Sequence, residues 1–94
     1  MKLIYTQEAI ADLSRLRKFI ARQNPGAAAR LANQLVQGIT KLCDFPFLGY
    51  VVKQVLSSEH VREIVLGKYV VRYLVLEKSI HVLRIWHHRE NRSE

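Results

Sequence analysis

Apolar positions change their spacing along the chain, and the changes mark out its elements. Residues Lys2–Tyr5 (KLIY) are a short apolar run that reads as a strand. From residue 8 to 23 the apolar side chains Ala9, Leu13, Leu16 and Ile20 recur at intervals of four, three and four, which is one stripe of an α-helix. Thr6 is placed to cap it. Asn24-Pro25 then interrupts the pattern; Asn caps helices and Pro is favoured at their first position. A second helix is predicted over 25–43, with the stripe Ala28, Leu31, Leu35, Ile39 and Leu42. Its small residues Ala27, Ala28, Ala29 and Gly38 allow close approach to a neighbour. Two helices with so short a link form an antiparallel hairpin. Each has one apolar face, so the pair needs a third surface to cover.

The segment Asp44-Phe-Pro-Phe-Leu-Gly49 ends the helical region, because Pro46 cannot continue a helix and Gly49 suits a turn. Residues 50–59 read as an ordered loop held by Phe45, Phe47 and Leu48. Beyond it VREIVL (61–66), YVVRYLVLE (69–77) and IHVLRIW (80–86) are rich in Val, Ile and Tyr and read as strands. Gly67-Lys68 and Glu77-Lys78-Ser79 are the turns between them, so the three strands form an antiparallel meander. The sheet supplies the surface that the hairpin needs. The expected fold is α+β: an N-terminal strand and an antiparallel helical hairpin packed on a small antiparallel β-sheet. At 94 residues one domain spanning 1–94 is expected.

Arg62, Arg72 and Arg84 share a parity within their strands. With odd-length loops, Arg62 lies opposite Arg72 and Arg72 opposite Arg84, placing three guanidinium groups across the middle of the sheet. Such a row needs acidic neighbours or an anionic ligand. Two-residue loops break the alignment, and the alternative is that each arginine lies at an edge or pairs with a carboxylate such as Glu63.

Charge adds a question about partners. The chain carries 15 Lys and Arg against 8 Asp and Glu, a formal net of +7. Either nucleic acid or an acidic protein answers to that balance. Residues 1–58 hold eight basic and three acidic side chains, and residues 59–94 hold seven and five, so the excess is greatest on the helical half. On the first helix Arg15, Lys18 and Arg22 lie opposite the apolar stripe, as a solvated face or as a contact surface for an acidic partner. The single Cys43 makes no internal disulfide and reads as a small buried thiol. No apolar run approaches the roughly 20 residues of a membrane span, and the N-terminus does not read as a signal peptide. A cytoplasmic protein without membrane contact is expected.

Candidate chemistry gathers in Trp86-His-His-Arg-Glu-Asn-Arg92. His87 and His88 are placed by their ordinary pKa to move protons near neutral pH. A metal site is not expected, because adjacent strand residues face opposite ways and no acidic or cysteine cluster completes a ligand set.

Asn24-Pro25 with Ala27-Ala28, FPFLG at 45–49, VREIVLGKYVVRYLV at 61–75 and IHVLRIWHHRENR at 80–92, in that order and across nearly the whole chain, resemble the RelE/ParE toxin superfamily. The resemblance implies the toxin half of a bacterial type II toxin–antitoxin module, neutralised by a cognate acidic antitoxin. RelE-like members cleave messenger RNA on the ribosome; ParE-like members inhibit DNA gyrase and lack the nuclease residues. Where RelE-like nucleases carry an arginine after the first tyrosine of the strand at 69–75, this chain has Val70. Where they often offer a lysine pair, it reads Arg62-Glu63-Ile64. Arg89 matches the arginine after the last strand, and the chain stops at Glu94 without a further helix bearing tyrosine. The resemblance therefore implies a ParE-like gyrase inhibitor with no cofactor and no favoured catalytic residue. The alternatives are a metal-independent, ribosome-dependent endoribonuclease using Arg84, His87, His88 and Arg89, or a non-toxic remnant that binds only its antitoxin. Candidate binding residues are Arg62, Arg72, Arg84, His87, His88, Arg89, Arg15, Lys18 and Arg22.

Overall fold

A computed structural model describes residues 1–52 and 60–90. Strand β1 (Lys2–Tyr5) leads into helix α1 (Gln7–Ala21), helix α2 (Pro25–Thr40), a 3₁₀ turn (Lys41–Cys43), and strands β2 (Tyr50–Val51), β3 (Val61–Leu66), β4 (Tyr69–Val75) and β5 (Ser79–His87). Both predicted caps are in place: the Thr6 hydroxyl accepts from Ala9 N–H, and the Asn24 side chain accepts from Ala27 N–H, each at 3.1 Å. The second helix ends at Thr40, earlier than its stripe suggests, and Leu42 reaches the core from the 3₁₀ turn.

The five strands form one sheet in the order β1-β5-β4-β3-β2. The predicted meander is β3-β4-β5, joined between β3 and β4 by Gly67-Lys68, with Gly67 at φ +63°. Glycine takes that left-handed conformation without steric cost. The sheet is mixed where an antiparallel one was expected, because β1 pairs parallel to β5. This pairing joins residues more than 70 positions apart, which no local pattern encodes. Ala9 and Leu16 of α1 and Leu35 and Ile39 of α2 bury against Val71, Tyr73, Val75, Ile80, Val82 and Ile85 of the sheet.

Strand β1 is shorter than β5, and α1 takes over where it ends. Thr6 N–H and hydroxyl both donate to Val82 O, and the Asp12 carboxylate accepts from Ile85 N–H at 2.9 Å. Arg15 reaches Ile85 O. Helix side chains thus satisfy backbone groups that a strand edge otherwise leaves open.

One expectation about the middle of the chain is corrected. Part of the predicted loop 50–59 is strand β2, paired antiparallel with β3; its residues 53–59 lie outside the described residues. Phe45, Phe47 and Leu48, expected to hold that loop, are 62%, 66% and 61% exposed. Polar groups hold the turn that precedes it. Tyr73, fully buried in β4, donates its hydroxyl to Pro46 O at 2.9 Å and accepts from Gly49 N–H at 2.8 Å. A side chain at Gly49 would place its Cβ 2.6 Å from both Glu63 O and the Tyr73 hydroxyl. Glycine is needed there for close approach.

Candidate functional site

Strand register decides what the three strand arginines do. Arg62 lies opposite Tyr73, and Glu63 lies opposite Arg72, so the predicted Arg62–Arg72 neighbourhood is absent. The two-residue Gly67-Lys68 turn shifts the pairing by one, as parity requires. Arg72 does lie opposite Arg84, because a register shift between Arg72 and Tyr73 moves the pairing with β5 by one residue.

The outcome is a line in which two neighbouring arginines are flanked by two carboxylates: Glu63 on β3, Arg72 on β4, Arg84 on β5 and Asp12 on α1. Arg72 binds the Glu63 carboxylate at 2.7–2.8 Å, and its guanidinium lies over the Trp86 ring. Arg84 grips Asp12 with two hydrogen bonds of 2.8 and 3.1 Å. Each like-charged neighbour thus has its own carboxylate. Asp12 is only 4% exposed. Burial alone pushes its carboxyl pKa up, but hydrogen bonds from Arg84 and Ile85 N–H, with the charges of Arg84 and Arg15, outweigh burial and hold it below the ordinary value. Arg62 lies apart from this line, donating to Gly49 O at 2.7 Å and resting over the Phe47 ring.

Beyond the Asp12 pair, the hairpin and the sheet diverge into a half-open cleft of about 840 Å³. Its apolar wall is Leu16, Phe19 and Ile20 of α1 with Ala27 and Leu31 of α2. Lys68, Tyr69, His87 and Arg89 form the facing wall. Tyr69 and His87 are cross-strand neighbours with edge-to-face rings 5.2 Å apart. At the rim Glu90 binds Arg15 at 2.7 Å and accepts the His87 N–H at 2.8 Å, tying the chain after β5 back to α1.

His87 belongs to β5, one residue beyond the predicted strand, and faces away from Trp86. Its Nδ1 accepts from Arg89 N–H at 3.0 Å, which places the proton of the neutral ring on Nε2. Burial, then the charges of His88, Arg89 and Lys68, push its pKa down against the opposing pull of Glu90. His87 is therefore a neutral donor at pH 7. His88 is exposed, its ring 4.6 Å from that of His87.

The structure thus gathers Arg15, His87 and Arg89 at one cleft. Lys18 and Arg22 line a shallow depression on the adjoining face of α1, beside the exposed Phe19. Arg72 and Arg84 lie elsewhere, in carboxylate pairs. Sequence reading missed Asp12, Lys68, Tyr69 and Glu90 as participants. For Asp12 a signal existed, since an acid next to Leu13 inside an apolar stripe must find a partner. Lys68 read only as a turn residue. Among the described residues, no group of three or more His, Cys, Asp or Glu is placed to hold a metal ion, and no helix is long and apolar enough to cross a membrane.

Comparison with known proteins adds to this geometry. Residues 3–92 match the family described as the ParE toxin of the type II toxin–antitoxin system parDE. Toxin RelE2 of Caulobacter vibrioides is 33% identical over 87 residues, covering 92% of this chain and 93% of that protein. Toxin RelE1 of the same organism is 34% identical over 94 residues, covering 96% of each. The solved chromosomal ParDE toxin–antitoxin system from P. aeruginosa contains a chain of the same fold, with a TM-score of 0.78 and 24% identity across 93% of this chain and 95% of that one.

Proposed function

Because this chain belongs to the ParE toxin family of type II toxin–antitoxin systems, we propose that it arrests growth by binding DNA gyrase, without RNA chemistry of its own. It is a toxin of such a module, and its partner is an antitoxin. The observation that supports gyrase binding is the engagement of Arg72 by Glu63 and of Arg84 by Asp12. Phosphoryl chemistry at an RNA 2′-OH needs cations aimed at the scissile phosphate. Here the central strand arginines are aimed at carboxylates. A toxin that acts by occupying its target needs only a contact surface. The exposed Lys18, Phe19 and Arg22, continuous with Arg15, His87, His88 and Arg89, supply a basic one with an apolar centre. With a net charge of +7, the matching antitoxin is a small acidic protein. The proposed target places the action in the cytoplasm.

Immobilised toxin is expected to retain purified gyrase, to release it on adding antitoxin, and to leave messages on translating ribosomes uncut. Retention of ribosomes with cleaved message, and none of gyrase, would overturn the reading. One observation favours that second outcome: His87, with its proton on Nε2, lines the cleft beside Lys68 and Arg89. In that case replacing His87 and His88 together by alanine abolishes cleavage.

A further inference from the structure

The cleft between α1, the start of α2 and the ends of β4 and β5 is divided by chemistry. Its polar wall presents Lys68, the His87 ring and Arg89, with backbone N–H of His88 already satisfied by Lys68 O at 2.9 Å. Among the described residues no salt bridge engages Lys68 or Arg89. The opposite wall is apolar and includes Phe19, 63% exposed. Volume adds a second constraint. About 840 Å³ lies within the usual range of small-molecule sites, roughly 300–1,000 Å³.

A ligand fitting both walls has a compact anionic end and a flat, weakly polar body. We propose that the cleft binds a nucleotide, its phosphate held by Lys68, Arg89 and the His87 Nε2–H, its base against the Phe19 side of α1. Two ammonium- or guanidinium-type donors and one neutral donor suit a phosphate dianion. Burial of a base against an aromatic side chain is favourable for any base. Glu90 is the opposing element. Its carboxylate stands at the rim, neutralising Arg15 and repelling an incoming phosphate. It therefore tunes affinity downward while tying the segment after β5 to α1. The inference does not require gyrase to be the target, although His87 and Arg89 belong both to the cleft and to the proposed contact surface.

The test is calorimetric titration of the full chain with adenosine monophosphate, adenosine, inorganic phosphate and a 5′-phosphorylated tetranucleotide. Adenosine monophosphate is expected to bind saturably and at least tenfold tighter than adenosine or phosphate alone. The Lys68→Ala/Arg89→Ala variant is expected to lose at least tenfold for the nucleotide while leaving adenosine unchanged. Glu90→Gln keeps an acceptor for His87 N–H, removes the repulsion and is expected to tighten nucleotide binding severalfold. A tetranucleotide binding more tightly than the mononucleotide identifies a strand end as the source of the ligand; equal or weaker binding identifies a free nucleotide. The proposal is overturned if millimolar adenosine monophosphate does not saturate, if it binds no tighter than phosphate, or if the double variant binds it undiminished with unchanged circular dichroism. It is also overturned if an acidic apolar peptide fills the cleft and the nucleotide does not compete.

Discussion

Asp12 concentrates several interactions in one carboxylate. It receives both Arg84 donors and the Ile85 N–H, and it lies 3.5 Å from Arg15. Asp12→Ala leaves Arg84 and the β5 amide without that acceptor and is expected to cost about 3 kcal/mol in urea unfolding at pH 7. The pH dependence has a definite sign. The folded pKa lies below the ordinary 3.8, so Asp12's contribution is complete above that value and is lost as pH falls through the folded one. The gap between wild type and Asp12→Asn should therefore close in acid; a constant gap contradicts the assigned ion pair. His87 offers a second check. Its ring should titrate below the ordinary 6.5 by NMR, and lower still in Glu90→Gln, because the Glu90 charge raises it. A midpoint above 6.5 contradicts the cleft's electrostatics. At this scale the sequence showed which residues carry charge but not whom they meet. Arg72 and Arg84 could be placed opposite each other by parity. The pairing across the β3-β4 turn, which separates Arg62 from them, and the β4-β5 register shift, which brings Arg72 opposite Arg84, could not.

The helical hairpin was legible because its determinants are local: two capping residues, one proline and two stripes of period 3.6. Strand β1 was legible as a strand, yet its parallel seat on β5 was not, since that pairing depends on the whole fold. The FPFLG turn was legible as a turn, but its anchoring by Tyr73 was not. Its hydrophobic side chains point outward and its backbone is held by Tyr73. Tyr73→Phe leaves the buried Gly49 N–H without its acceptor and should cost about 1–3 kcal/mol. Gly49→Ala should cost at least as much, because its Cβ meets the β3 backbone at Glu63 O, which cannot move without disturbing the sheet. Thermal unfolding checks both. If Gly49→Ala melts with wild type, the close approach of this turn to β3 is wrong.

For the molecule as a whole, the basic excess lies where the candidate surface is. Residues 1–58 carry a net of +5 from eight basic and three acidic side chains, and α1 presents Arg15, Lys18 and Arg22 beside the cleft. On the sheet, by contrast, Arg72 and Arg84 are matched with carboxylates of neighbouring elements. This division is the physical basis for reading the protein as a toxin that binds its target. The family was legible from the order of its motifs. The cleft was not, because its walls come from both helices, the β3-β4 turn and the end of β5. The most direct test of the central claim is a supercoiling assay with purified gyrase, relaxed plasmid and increasing toxin, run beside a translating-ribosome assay on the same preparation. Gyrase binding predicts loss of supercoiling that saturates with toxin, reverses with antitoxin and persists in the His87→Ala/His88→Ala variant, with message intact. Full supercoiling at saturating toxin, together with message cut at the ribosome, would contradict it.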